Sequence, residues 1–482
     1  MIYLIILLAL LLRLPLLDAS FWLDEAAQFL ESARPLAQQL DIREDFQPPL
    51  MHLITFLGIR LGAWFGLSSA EWWVRLLPSL LPGLLTVWAT YRLGLKLFSK
   101  KTALLASLFL ATSSFHIFYS QELRPYSFPA MWAILATWQL LEVLTSKKAK
   151  HLWLFGLFSV LGLYSSYLYP FLLIAQFVYL WQQKFNPRKI LLLASCIGLG
   201  FLPWLPKFLE QLQTGQALRQ SMPGWEQVVS LPQLKTAVLL PLKFVFGLSD
   251  LELNLGYVFL SVAVFGPLFY FIILARHKHR SSLLFFFYLL VLPLLLSWLV
   301  SFFVPVLQAK RVLFALPLFS LLEAFLLLSY QKSKPQLSKI FFTAIIAINL
   351  FSTYAYWTKP ELQREDWRGL SQEISQKFTP DNTAVLFAFD QPFAPWRVYD
   401  QTGFKTFSTG VFYANDLEQP HELFKDISKY QYVLVFDYLR DLTDPDDLLL
   451  KVVQDLGFTP VGVLDYPNIG FVRIYSRSSI QS

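Results

Sequence analysis

Two carboxylates stand side by side where a long apolar run ends. Asp24-Glu25 follows the stretch from Ile2 to Leu17, which only Arg13 interrupts. A charge emerging from hydrocarbon is expensive unless it meets water, a cation or a ligand, so an acidic pair here is a functional candidate by default. As plain structure, the pair can serve the start of a helix at Ala26, where carboxylates suit the helix dipole. Capping accounts for one acid more easily than for two, which favours a working role for the pair.

Three further polar clusters sit between apolar runs. Asp45-Phe46-Gln47-Pro48-Pro49-Leu50-Met51-His52 reads as a proline turn feeding an amphipathic helix. His52 reads as a satisfied interfacial histidine more readily than as a metal ligand, because no second His stands at ligand spacing. Tyr119-Ser120-Gln121-Glu122-Leu123-Arg124-Pro125-Tyr126 is a very short turn holding an acid, a guanidinium and two tyrosines. Turn-making alone does not require that set, although Glu122 and Arg124 could pair with each other. A guanidinium is suited to bidentate phosphate binding. Gln308-Ala309-Lys310-Arg311 marks a fourth place, where snorkelling at the interface is the simpler reading for Lys310.

The elements that must position these residues are membrane spans. The chain has 482 residues, of which 55% are hydrophobic and 15% charged, and its mean hydropathy is +0.47. That exceeds what a soluble core of this size needs, so the fold class is a polytopic α-helical membrane protein. The lone Cys196 can form no intrachain disulfide and says nothing of the compartment. A crossing helix needs roughly 20 apolar residues. Eleven stretches meet that ruler, at 1–17, 76–95, 102–118, 125–144, 152–167, 168–183, 190–206, 254–275, 281–303, 312–330 and 340–357. Residues 1–17 lack a positively charged n-region and read as a retained span rather than a cleaved signal peptide.

Charge orients the spans. The net charge is +7, and the connections at 92–101, 145–151, 183–189, 276–280 and 331–339 hold sixteen basic residues and no acid. The positive-inside rule makes all five cytoplasmic. The first loop at 18–75, the turn at 119–124, the segment 207–253 and the turn at 304–311 alternate with them and face outward, so the N-terminus is expected inside and the C-terminus outside. Basic residues spread in this way argue against a nucleic-acid partner. Within 207–253, Trp225, the Pro223-Gly224 turn and the apolar patch 237–248 suggest interfacial or re-entrant helices.

The composition changes after Trp357. Residues 1–357 form the expected membrane domain and 358–482 a small extracytoplasmic α/β domain, with strands at Ala384 to Phe389, Tyr432 to Phe436 and Phe471 to Tyr475 and a helix at Asp446 to Leu456. Nothing in this domain has nucleophile, P-loop or dinucleotide spacing.

The order of these motifs, with Asp366-Trp367-Arg368 opening the outer domain, resembles the GT-C superfamily of membrane glycosyltransferases. Within it the chain is most similar to the bacterial branch of protein O-mannosyltransferases, aminoarabinose transferases and rhizobial lipopolysaccharide sugar transferases. The resemblance covers residues 1–357 and, weakly, the start of the outer domain. It implies transfer of a sugar from a polyprenyl-phosphate donor, with inversion, to a glycolipid, polysaccharide or protein acceptor at the outer face of the inner (plasma) membrane. By that likeness Asp24 is the general base and Glu25 orients the acceptor or a metal. Arg124 and Arg311 would hold the carrier phosphate, and Glu122, Tyr126, Lys310, Gln47 and His52 would line the substrate site. Many relatives carry His or Lys where this chain has Gln47, and several use a further outer-loop Asp that only Glu122 could replace here. No cofactor is fixed by the sequence; a divalent cation has a place beside Glu25, and the metal requirement stays open.

The required chemistry agrees with this set. A lipid phosphate leaves as a stable anion, so the reaction needs one base for the acceptor's proton and cations for the departing charge. A lipid or polysaccharide flippase is the alternative, with Asp24, Glu122 and Arg124 lining a path; it predicts charges at mid-membrane depth and inverted repeats, neither of which the sequence suggests. A non-catalytic scaffold with a partner-binding outer domain is the third reading.

Overall fold

A computed structural model describes residues 1–42, 46–146, 148–221, 233–248, 255–304, 306–411, 413–414 and 424–477. Asp45 of the proline motif, Lys147 of the basic clusters and the Pro223-Gly224-Trp225 turn lie outside the described residues. The chain folds as two compact units, one of Met1–Asp18, Ser32–Gln211 and Val229–Leu362, the other of Ala19–Glu31, Leu212–Val228 and Gln363–Ser482. The boundary therefore falls at Gln363. The acidic segment Ala19–Glu31, which the sequence places in the membrane half, belongs to the second unit.

The first unit is helical because a backbone in hydrocarbon must satisfy its own hydrogen bonds. Among the described residues, each of the eleven expected stretches holds a helix, and six helices are by themselves long and apolar enough to cross a membrane. These are Ser127–Thr145, Pro187–Gln216, Leu255–Lys278, Arg280–Val300, Lys310–Tyr330 and Pro335–Thr358. The helical path of the stretch at 190–206 continues through two prolines. A 3-10 turn at Leu202–Trp204 absorbs Pro203, and Pro206 falls in the first turn of Leu205–Ser221, where no N–H is missed.

Small residues let the helices close up. At Gly94, on Leu81–Leu97, an added Cβ would stand 2.8 Å from Ala103 Cα on Lys100–Thr112. Hydroxyls inside this packing bond back to their own helices, Thr86 donating to Pro82 O at 2.7 Å and Ser107 to Ala103 O at 2.9 Å, and Ser107 also lies 3.4 Å from Val87 O on the facing helix. The turn between the spans at 152–167 and 168–183 closes with Tyr169 lying directly against Gly162.

The second unit carries a five-stranded sheet of β1 (Thr383–Phe387), β2 (Lys405–Ser408), β3 (Tyr432–Phe436), β4 (Thr459–Tyr466) and β5 (Gly470–Ser476), in the order β2-β1-β3-β5-β4. The first three are parallel; β5 and β4 add on antiparallel. The expected strands become β1, β3 and β5, and the expected helix is Leu448–Asp455. Two strands escape the sequence reading: β2 is a four-residue edge, and β4 carries Pro460 and Gly462 and leaves Val461 and Val463 exposed. Because β1 has β2 on one side and β3 on the other, the chain reverses its direction of winding at the β1–β3 junction.

The close approach at Gly94 is testable. Gly94→Val is expected to destabilise the membrane unit by about 1–3 kcal/mol through overpacking, measured as a lowered thermal midpoint of detergent-solubilised protein. Gly156→Ala, whose Cβ would meet nothing within 4 Å, should leave that midpoint unchanged or raise it.

Candidate active site

The acidic pair occupies the first turn of the helix Leu23–Ala33, begun by the Trp22 carbonyl accepting from Ala26 N–H at 2.9 Å. Side chains three and four apart share a face, so successive acids diverge. Glu25 is fully buried, whereas Asp24 keeps part of its surface open. Arg364 supplies the counter-charge, its Nε 3.4 Å from Glu25 Oε2 and both side chains buried. Its neighbour Glu365 accepts from Trp367 Nε1 at 2.6 Å, Tyr438 Oη at 2.7 Å and Leu23 N–H at 3.4 Å. The backbone joins in, with Ser20 Oγ donating to Glu365 O at 2.5 Å and Phe21 N–H to Tyr399 Oη at 2.7 Å. Burial pushes the Glu365 carboxyl up to about 7, and the Asp24 charge adds to the rise, against the pull of its three donors.

Sequence reasoning missed Arg364 and Glu365. Their signal was the run Arg364-Glu365-Asp366-Trp367-Arg368, of which only the last three residues drew notice. Asp366 itself is an N-cap, its Oδ1 accepting from Gly369 N–H at 3.0 Å.

In the membrane unit, a second set of candidates is organised around Arg13 and Gln121. Arg13 is fully buried, with Nη1 donating to Ala9 O at 2.8 Å and Ala111 O at 3.1 Å, and Nη2 2.6 Å from His116 Nδ1. Gln121 Nε2 returns two bonds, to Arg13 O at 2.8 Å and Pro15 O at 2.5 Å, while Tyr356 Oη donates to its Oε1 at 3.2 Å. The tyrosine turn is thereby tied to the chain leaving the first helix. Within that turn Glu122 is buried, its carbonyl accepting from Ser79 Oγ, and Arg124 is partly exposed. Tyr126 meets Tyr119 edge-on at 5.0 Å. Lys310 Nζ lies 5.8 Å from the centre of the Tyr126 ring, so it joins this turn through a cation–π contact. Arg311 is partly exposed and bonds Val306 O at 3.3 Å.

Gln47 and His52 also come together. Gln47 Nε2 donates to His52 Nε2 at 2.9 Å, which leaves the ring proton on Nδ1, 3.5 Å from Ser32 Oγ. His52 is buried, not interfacial. Among the described residues no group of three or more His, Cys, Asp or Glu could hold a metal ion, and Glu25, the carboxylate assigned to a cation by likeness, faces a guanidinium. Among the described residues, the donor set around Glu25 does not fit a divalent cation.

One expectation about charge needs correction. A carboxyl does lie inside a span: Glu323, in Leu316–Tyr330, is buried and lines a small cavity with Ser113, Ser320 and Asn349. Its place in a strongly apolar run hid it.

The family described as Dolichyl-phosphate-mannose-protein mannosyltransferase matches residues 47–206. Comparison with curated protein sequences finds no match. Among solved structures, ArnT from Cupriavidus metallidurans in the apo state gives a TM-score of 0.59 at 12% identity, over 99% of this chain and 98% of that one. AglB, the archaeal oligosaccharyltransferase from Archaeoglobus fulgidus in complex with an inhibitory peptide and a dolichol-phosphate, gives 0.54 at 13% identity, over 100% of this chain and 74% of that one. ArnT bound to undecaprenyl phosphate gives 0.59 at 12% identity, over 99% and 98% of the two chains. The chain has the GT-C fold. Asp24 lies in the first turn of Leu23–Ala33, Arg124 in the connection between Ser114–Tyr119 and Ser127–Thr145, and Arg311 at the start of Lys310–Ala315, while the buried Arg13 and Gln121 serve as fasteners.

His52 provides a pH test of the membrane unit. Burial holds its pKa down to about 3, and the charges of Arg124 and Arg34 add to the depression. Above pH 6.5 the ring is neutral in folded and unfolded chains alike. Below 6.5 the unfolded chain takes up a proton that the folded chain refuses until about pH 3, so stability falls toward acid. His52→Gln should flatten that fall between pH 6.5 and 4.5, by at most about 1.4 kcal/mol per pH unit, checked by unfolding at a series of pH values.

Proposed function

We propose that this protein is an integral-membrane glycosyltransferase that moves a sugar from a polyprenyl-phosphate carrier to a glycolipid, polysaccharide or protein at the outer face of the plasma membrane, inverting the anomeric carbon. The observation that carries the reading is the division within the acidic pair: Glu25 is buried against Arg364, while Asp24 keeps surface open to a substrate. The fold supports the donor class, since ArnT and AglB are structurally similar proteins solved with undecaprenyl phosphate and dolichol-phosphate.

Asp24 is the general base. It takes the proton of the acceptor hydroxyl as that oxygen attacks the anomeric carbon from the face opposite the carrier. The bond from the anomeric carbon to the carrier phosphate oxygen breaks, and its electron pair leaves with the phosphate. Arg124 and Arg311 stabilise the departing charge, which is where preorganised cations act most strongly. Glu25 holds the helix that carries Asp24. Glu122, Tyr126, Lys310, Gln47 and His52 shape the surroundings, with Lys310 docked on Tyr126 and Gln47 on His52. No step is routed through a metal.

The test is transfer of labelled sugar by membranes preloaded with polyprenyl-phosphate sugars, with wild type and variants at matched expression. Asp24→Asn should lose roughly a hundredfold or more, as removal of a general base does. Arg124→Gln should lose about tenfold or more through the lost cation at the leaving phosphate. Transfer by Asp24→Asn at the wild-type rate would refute the assignment of the base, and absence of transfer with every sugar tested would move the flippase reading ahead.

A further inference from the structure

The residues that hold the acidic helix come from the other end of the chain. A helix leaves its first N–H groups without internal partners, and at Leu23 the partner is the Glu365 carboxyl. Both ends of this contact lie in the second unit, as do Glu25 and the Arg364 that faces it. We infer that Arg364 and Glu365 are positioning residues for Asp24 and Glu25, so that the outer domain acts as the clamp of the acidic helix. The inference rests on Asp24 being the base.

Two features support a positioning role rather than a direct one. The Glu365 carboxyl is engaged by three donors, the Trp367 indole, the Tyr438 hydroxyl and the Leu23 amide, and it is buried in their midst. Such a group is held in place and holds others; it has little left to offer a substrate.

The second feature is topological. Open sheets with parallel strands receive ligands beyond the carboxyl ends of the strands, where the winding reverses. In this domain the reversal lies between β1 and β3. Tyr438 stands two residues beyond the end of β3 and donates to Glu365, and Leu23 packs on the apolar cluster that contains Phe387 and Phe436, the last residues of β1 and β3. Phe21 N–H is bonded to Tyr399, at the end of the helix that follows β1. The place where such a domain would take a ligand is occupied by the chain's own acidic segment. The domain works by presenting that segment.

The experiment compares wild type, Glu365→Ala, Glu365→Gln and Arg364→Lys in full-length detergent-solubilised protein, by hydrogen exchange of the peptides covering residues 20–28. The same proteins, returned to membranes, are assayed with a panel of undecaprenyl-phosphate-linked hexoses and pentoses. Glu365→Ala should exchange about tenfold faster or more over residues 20–28, as a local opening would. Its kcat should fall about tenfold or more, while the KM for the lipid donor stays within about twofold, the signature of a misplaced reacting group. Glu365→Gln retains an oxygen for the Leu23 amide and should recover most of both losses. Unchanged exchange and kcat in Glu365→Ala would overturn the clamp. If that variant does not fold, Arg364→Lys decides: an ammonium lacks the planar fork, and a wild-type kcat there overturns the proposal. Asp24→Asn separates the layers. Faster exchange in Glu365→Ala combined with full transfer by Asp24→Asn would remove the base and leave the clamp standing.

Discussion

A carboxylate with no surface open to water must be given its counter-charge by the protein. Glu25 is such a group, and the guanidinium that answers it is Arg364. Removing one partner of a buried pair typically costs about 3–5 kcal/mol, because the survivor is left charged and unsolvated. This single requirement ties Ala19–Glu31 to the stretch that begins at Gln363. It explains why Ala19–Glu31 folds with residues from 363 onward and not with the helices that flank it in sequence. Leu23 in the domain's apolar cluster and the bonds of Ser20, Phe21 and Leu23 then complete a seat that the ion pair alone could not define.

The membrane unit meets the same constraint with different means. Arg13 is as buried as Glu25, yet its donors go to the Ala9 and Ala111 carbonyls and to a histidine ring. Helix ends provide spare carbonyls, so terminal guanidinium nitrogens can be engaged there without a carboxylate. Gln121 uses the same resource in reverse, donating to Arg13 O and Pro15 O. The result is a sorting by exposure. Arg13, Gln121 and Gln47 are consumed in holding turns together, while Arg124, Lys310 and Arg311 keep open surface.

Much of this was legible from the sequence because the signals are strong and local. Long apolar runs bounded by lysine and arginine have few other folds available, and the strands β1, β3 and β5 are apolar runs between turn residues. What failed to show was non-local or locally contradictory. β4 exposes its valines and carries a proline, so no alternation marks it. The 3-10 turn that carries the helical path past Pro203 cannot be foreseen from composition. Asp24 and Glu25 stood out by residue type, yet the partner that distinguishes them, Arg364, lies in a separate part of the chain with no motif linking the two. Gln47 and His52 were each visible, but their hydrogen bond was not.

Glu323 bears most directly on the choice between enzyme and transporter. A translocation path requires polar groups in succession through the membrane depth, each able to exchange partners as cargo passes. Around Glu323 the polar residues are few and local. Ser113, Ser320 and Asn349 line the same small cavity, and Asn349 is already bonded to Phe109 O at 3.4 Å and Thr112 Oγ1 at 3.1 Å. Phe109, Phe244, Val245, Leu316 and Ile345 line the rest of the cavity. A single carboxyl walled by such residues is an isolated polar site within helix packing, without the succession of polar groups that a path requires. The partly exposed charged groups lie elsewhere, with Arg124 in the connection before Ser127–Thr145, Lys310 and Arg311 at the start of Lys310–Ala315, and Asp24 in the first turn of Leu23–Ala33.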